Sequence, residues 1–234
     1  MEISWRFKNY TLPYYRSVLQ KAIFREDGPH LILDAGCGQY GSIEAPLQAN
    51  YKVIGVDVNK RLLAKAKSQG VMIEDYIAAS LTCLPFKSNI FDIALSQDVL
   101  EHVEEKAKSV QEISRVIRRG GTLLGSTTNL LNPLMLFDTL APKCITQSLI
   151  QHYSEQEYFQ RHTRLTPIKL RYFLKACFQE NRLSFIGAPP FSSPKYHKKE
   201  NLPWFVRTWI LFDRLTSQQF LETFKEMILF EAVK

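Results

Sequence analysis

The chain has 234 residues, 45% of them hydrophobic, with a net charge of +7 and four cysteines. That length suits one α/β domain with insertions and allows a substantial core. No apolar run is long enough for a membrane-spanning helix or placed to be a secretory signal, and Cys37, Cys83, Cys144 and Cys177 lack C-x-x-C or metal-ligand spacing, so the expectation is a cytoplasmic protein with reduced thiols and no metal.

In chain order, Tyr15, Val18, Leu19 and Ala22 recur at helical spacing and place an amphipathic helix within an N-terminal segment, 1–27. Leu31-Ile32-Leu33-Asp34-Ala35 predicts a buried strand that breaks into a glycine turn at Gly36-Cys37-Gly38. Ser42 is placed to cap a short helix reaching about residue 49. Val53-Ile54-Gly55-Val56 predicts a second buried strand ending on Asp57, and Asn59 caps a helix carrying Leu62 and Ala66. Further strands are expected near 71–78, 91–96 and 122–128. A helix over 104–117 sets Val110, Ile113 and Ile117 on one face, with Gly120-Gly121 as its C-terminal turn. Alternation of strand and helix implies right-handed crossovers and a mostly parallel sheet.

The second half breaks this rhythm. Residues 130–165 read as a long connection with one or two helices, and Thr166-Pro167 opens a capped helix whose face is Leu170, Phe173, Leu174 and Cys177. A strand near 183–187, a loop over 191–202 and an apolar helix over 203–215 follow, the last carrying Trp204, Phe205, Trp209 and Phe212. Most of the positive excess lies beyond residue 130, but the Lys195-Tyr196-His197-Lys198-Lys199 cluster reads as a solvated loop, which disfavours a nucleic-acid partner.

The chemistry is concentrated where the first two strands end. Parallel strands bring Asp34 and Asp57 side by side at the carboxyl edge, where ligands bind in open α/β sheets. Asp57 can accept from both hydroxyls of a ribose. Gly36-Cys37-Gly38-Gln39-Tyr40-Gly41 formally spells the dinucleotide fingerprint, with Asp57 about twenty residues on. Asp34 argues against a dinucleotide, because a carboxylate there would face the pyrophosphate. The same carboxylate suits the ammonium of S-adenosylmethionine, which has a ribose and an adenine but no phosphate.

Downstream, Leu84-Pro85-Phe86, Phe91-Asp92, Leu100-Glu101-His102 and Gly120-Gly121 follow in order. Together with the glycine turn they resemble the class I S-adenosylmethionine-dependent methyltransferases, nearest the group with an LPF…FD…LEH…GG signature. The likeness covers about residues 28 to 129 strongly and the rest in outline. It implies a seven-stranded, mostly parallel Rossmann-like methyltransferase sheet with helices on both faces and helical insertions in the C-terminal half. It further implies a single domain over 1–234, with a cofactor-binding half, 28–129, and an acceptor-covering half, 130–234. Substrate-covering insertions would fall at 130–165 and 191–225.

For the cofactor, the resemblance implies Asp34, Gly36, Cys37 and Gly38 around the methionine part, Asp57 and Val58 at the ribose, and Ser80 with Leu81 at the adenine. Gln97 or Asp98 would face the methyl group. Two positions depart from the family pattern: Tyr40 stands where a third glycine is usual, with Gly41 one place late, and Ser80 stands where an acid often meets the adenine amino group. Methyl transfer needs positioning more than a fixed catalytic side chain. A base helps where the acceptor is a hydroxyl or a protonated amine, and His102 and His162 are the candidates.

The expected activity is methyl transfer from S-adenosylmethionine, leaving S-adenosylhomocysteine, to a small-molecule or lipid-linked acceptor, on oxygen. The aromatic helix at 203–215 leaves a peripheral membrane contact open. The sequence does not set the oligomeric state. The alternatives are a catalytically inactive S-adenosylmethionine-binding module and, further off, an NAD-dependent oxidoreductase.

Overall fold

A computed structural model describes residues 30–43, 50–140, 164–186, 211, 219–225 and 227–234. The first apolar run, β1 (His30–Ala35), lies at the centre of a seven-stranded sheet. On one side it pairs with β2 (Tyr51–Asp57), which pairs in turn with β3 (Asp75–Ala78). On the other side come β4 (Phe91–Gln97), β5 (Ile117–Thr128), β7 (Met227–Val233) and β6 (Glu180–Ile186). The order is β3-β2-β1-β4-β5-β7-β6, parallel except that β7 runs against both its neighbours. This is the expected Rossmann-like methyltransferase sheet.

Adjacent residues of one strand feed opposite faces, as the period of two requires. Leu33, Leu123 and Phe230 pack beneath α2 (Lys106–Val116) and α4 (Pro167–Lys175) with Val110, Ile113, Leu170 and Leu174. Their neighbours Ile32, Leu124 and Leu229 pack on the other face with Leu63 of α1 (Lys60–Ser68). Each such fully buried Leu, Ile or Phe contributes roughly 1.5–3 kcal/mol. Asn59 caps α1 as expected, accepting from the N–H groups of Arg61 and Leu62, although Leu63 rather than Leu62 is its deeply buried leucine. Thr166 caps α4 by accepting from Lys169 N–H.

Two expectations are corrected. The third strand is shorter than 71–78, beginning at Asp75. Gly120-Gly121 does not end a helix: α2 stops at Val116 and β5 starts at Ile117, so the pair lies within the strand. There the register jumps from Phe91↔Ile117 to Ile93↔Thr122, so the chain loops out between two ladder segments. Gly120 has φ +76°, and a Cβ on Gly121 would come within 2.7 Å of the Asp92 carbonyl oxygen, so both positions favour glycine. The helix expected in 1–27, residues 44–49 of the one opened by Ser42, all of 203–215 but Leu211, the insertion cores and His162 lie outside the described residues.

Several signature residues are structural. Asp92 accepts from Leu31 N–H at 2.6 Å and from Arg118 Nε at 2.6 Å, tying β1, β4 and β5 together. Lys234 Nζ donates to the carbonyls of Ser114 at 2.7 Å and Ile117 at 2.8 Å, a cation on the exposed carbonyl end of α2.

Candidate cofactor and acceptor crevice

The carboxyl edge of the sheet is built first by the turn after β1. Gly36 and Cys37 donate their N–H groups to the Val56 carbonyl at 2.7 and 3.1 Å, which pins the turn to the end of β2. Gly36 has φ +86°, and a Cβ there would lie 2.5 Å from Val99, so glycine lets the segment after β4 close beneath the turn. Asp34 is 1% exposed, and both its oxygens hold the far side of the turn. Oδ2 accepts from Ser42 N–H and Oδ1 from Ser42 Oγ–H, both at 2.6 Å. Burial pushes the Asp34 pKa up to about 6, against the pull of the Ser42 bonds. Cys37 turns inward, its Sγ 2.9 Å from where a Gly55 Cβ would stand, and burial drives its thiol pKa upward. Tyr40 is half-buried in the same turn, which Gly41 N–H closes onto the Cys37 carbonyl at 2.9 Å.

Asp57 stands opposite. Its Oδ2 accepts from Gly38 N–H at 3.0 Å and its Oδ1 from Asn59 N–H at 2.8 Å. A carboxylate has about four lone-pair sites, so each oxygen keeps capacity for a further donor. Beside it, Val58 is 76% exposed, and no atom lies within 4 Å of a Cβ built on Gly38. Asp57 therefore borders open space, whereas Asp34, expected to meet a ligand ammonium, is buried with both oxygens bonded to Ser42.

Past β3, whose Ala78 pairs with Asp57, Ala79 N–H returns to the Asp57 carbonyl at 3.2 Å. Ser80 Oγ lies 2.8 Å from Thr82 Oγ1 and accepts from Thr82 N–H at 3.2 Å. Leu81, between them, is 7% exposed. The loop that follows is clamped by α2. Arg115 donates to the carbonyls of Leu84 at 3.0 Å and Phe86 at 2.8 Å, while Glu112 accepts from Leu84 N–H at 3.1 Å and pairs with Arg115. The LPF motif is thus a loop held by a guanidinium.

The third wall follows β4. Asp98 has φ +53°, and its carboxylate accepts from Ser126 Oγ at 2.6 Å. A 3-10 turn, Leu100–His102, sends Glu101 inward, 2% exposed, where it accepts from Thr127 Oγ1 at 2.8 Å and Thr128 N–H at 3.3 Å. Burial, and then the Asp98 charge, push Glu101 up to about 7. Buried Lys106 donates its Nζ to the Val103 carbonyl, and desolvation holds its pKa down. His102 is exposed overall, yet its ring is desolvated enough to lie below the ordinary histidine value, with Asp98 and Asp57 pulling the other way. Both terminal atoms of the Gln97 carboxamide are closed off without a hydrogen-bond partner.

The fold therefore brings the turn 36–42, Asp57, Val58, Ser80, Gln97, Asp98 and His102 to one edge of the sheet. Glu101, Thr82 and Ser126 were not candidates from the sequence. Only Glu101 carried a signal, as the middle residue of Leu100-Glu101-His102. Among the described residues no group of three or more His, Cys, Asp or Glu could hold a metal ion, and no helix is long and apolar enough to cross a membrane.

Comparison with known proteins agrees with this geometry. The family described as "Methyltransferase domain" matches residues 33–125. An uncharacterized methyltransferase, YodH of Bacillus subtilis, is 41% identical over 128 residues, 53% of each chain. A probable S-adenosylmethionine-dependent methyltransferase of Mycolicibacterium smegmatis is 30% identical over 122 residues, 52% of this chain and 47% of that one. The chain thus spans about half the length of these curated relatives. A solved phosphoethanolamine N-methyltransferase 2 of Haemonchus contortus, in complex with S-adenosyl-L-methionine, shares the fold with a TM-score of 0.58 and 16% identity, over 100% of this chain and 60% of that one.

Proposed function

We propose that this chain, which belongs through residues 33–125 to the class I S-adenosylmethionine-dependent methyltransferases, methylates an oxygen of a small-molecule or lipid-linked acceptor. The residues fit the cofactor. Asp57 has lone pairs left for a ribose, Gly38 opens onto free space, and Val58 offers an exposed apolar face beside them. Gly36, Cys37 and Gly38 would hold the methionine part in the turn that Asp34 braces, Ser80 and Leu81 the adenine, and Asp98 rather than Gln97, whose carboxamide is closed off, the methyl end. When bound, S-adenosylmethionine supplies a methyl group on a sulfonium, open to in-line displacement. Acids at 57 and 98 favour that cation electrostatically, and a thiol kept protonated at Cys37 does not compete as a nucleophile.

Support for an acceptor that must lose a proton, read here as a hydroxyl, comes from His102. It is exposed, within electrostatic reach of Asp57 and Asp98, and held below the ordinary histidine pKa by desolvation. A neutral imidazole at pH 7 can take the proton that a hydroxyl must lose. Support for an apolar acceptor comes from α3 (Pro133–Leu140), where Leu136 and Leu140, one turn apart, are 42% and 74% exposed. The nicotinamide alternative finds no support in the family match.

The test is labelled S-adenosylmethionine offered with small-molecule and lipid extracts, followed by analysis of the methylated bond. Label in a methyl ether or ester supports the proposal, and label in an N-methyl product overturns it. With the acceptor found, His102→Gln should lower kcat at least tenfold and remove the fall in rate on the acid side, where His102 protonates. An unchanged pH profile would remove His102 as the base. Asp57→Ala should weaken S-adenosylmethionine binding at least tenfold in calorimetry, about 1.4 kcal/mol. Unchanged affinity would mean that the ribose lies elsewhere.

A further inference from the structure

Helix α4 buries Leu170 and Leu174 and presents Ile168, Lys169, Arg171, Tyr172 and Lys175 to solvent. Ile168 and Tyr172 lie one turn apart and are 79% and 72% exposed. From Arg164 to Gln179 the chain carries Arg164, Lys169, Arg171 and Lys175 and no acid. The surface continues onto α3: Arg164 Nη1 donates to Thr139 Oγ1 at 3.1 Å and so holds Leu140, 74% exposed, near the start of α4. Leu130 N–H donates to the Leu165 carbonyl at 3.0 Å, which sets the Thr166 cap at the carboxyl end of β5. That is the sheet edge carrying Asp57 and Asp98.

Exposed apolar side chains ringed by cations, with no acid among them, are costly to leave in water and gain from an anionic bilayer. Aliphatic groups enter the acyl boundary, a tyrosine ring suits the interface, and Lys and Arg reach lipid phosphates. An acidic protein or a nucleic acid would use the cations but offers little to Ile168 and Leu140. We propose that the exposed face of α4, with the end of α3, docks the protein on an anionic phospholipid surface and brings the carboxyl edge of the sheet to the lipid. This deepens the lipid-linked reading of the acceptor and rests on it only for what the docked crevice takes up.

The experiment is flotation of the full chain with vesicles of phosphatidylcholine alone and of phosphatidylcholine with one quarter phosphatidylglycerol. Wild type should partition onto the anionic vesicles at least tenfold better. Raising salt from about 0.1 M to about 0.5 M should weaken that binding at least fivefold. Arg171→Glu with Lys175→Glu, and separately Ile168→Ser with Tyr172→Ser, should each lower partition at least fivefold. Lys65→Glu with Lys67→Glu on α1, which packs on the opposite face of the sheet, makes the same change in net charge and should retain binding within twofold. All three variants should keep the melting temperature and the S-adenosylhomocysteine affinity of wild type, since every substituted residue is exposed. Equal partition onto neutral vesicles, no partition onto either, full binding by both α4 variants, or an equal loss in the α1 control overturns the proposal. So does binding of polyglutamate or duplex DNA by a protein that ignores vesicles. Vesicle binding without methylation of any lipid extract supports the docking and strikes the lipid-linked acceptor. A methylated soluble acceptor with no vesicle binding strikes the docking and leaves the activity.

Discussion

Gly125→Ala is expected to destabilise the fold by about 3 kcal/mol or more, the upper end of what inserting a methyl group into a packed core costs. Gly125 lies in β5 directly opposite Phe230 of β7. A Cβ on it would stand 1.9 Å from Phe230 Cζ, 2.3 Å from Cε2 and 2.6 Å from Cε1. Phe230 is 1% exposed and packed within the core beneath α2 and α4, so its ring has no room to step aside. The missing side chain is what allows an aromatic ring to lie across the neighbouring strand. Urea unfolding of Gly125→Ala, Phe230→Leu and the double variant measures this directly. The double variant should be more stable than the sum of the two losses predicts, because the smaller side chain vacates the space the methyl needs. A Gly125→Ala protein within 0.5 kcal/mol of wild type, or strict additivity, would mean that β5 and β7 do not approach this closely.

Much of the fold was legible because its signals are local. The apolar runs at 31–33 and 53–56 end on acids, and a strand's period of two with a polar terminus needs no distant partner to be read. Asn59 and Thr166 announce their helices for the same reason. Gly120-Gly121 was misread because a glycine pair after an amphipathic stretch serves equally as a helix stop or as an irregular entry to a strand. Only the register between β4 and β5 distinguishes the two.

The residues that the sequence hid act over long separations. Asn129 is fully buried and donates through Nδ2 to the carbonyls of Thr223 at 2.8 Å and Lys225 at 2.7 Å, and Asn132 does the same to Phe224 at 3.0 Å. These partners lie more than ninety residues away along the chain, so no spacing rule reveals them. The two amides fasten the segment before β7 to the loop after β5. Similarly, Arg115 and the LPF loop look like separate motifs in the sequence and form one clamp in space. The candidate site was legible as a set of strand ends. The supports that hold those ends still were not.

Glu101→Gln is expected to change how stability depends on pH. Glu101 is 2% exposed, and burial followed by the neighbouring Asp98 charge pushes its pKa from 4.5 up to about 7. The native state therefore keeps a proton that the unfolded chain releases, and stability falls as pH rises between those two values. The advantage of the protonated acid is complete below pH 4.5, and about 3 kcal/mol of it is gone once pH has passed through the native value. Glutamine carries the same shape without the charge. Its oxygen can accept from Thr128 N–H and its amide can donate to Thr127 Oγ1, which rotates from donor to acceptor. The variant should match wild type near pH 4.5 and exceed it by about 2–3 kcal/mol at pH 8 in chemical unfolding. Asp34, raised toward pH 6 by its own burial, tilts both profiles equally, so the difference between them isolates Glu101. Lys106 on α2 opposes the shift and Asp98 reinforces it, so Asp98→Asn should narrow the gap between the two curves. Parallel profiles for wild type and Glu101→Gln from pH 4.5 to 8 would show that the Glu101 carboxyl is not held as an acid between β5 and the turn that carries His102.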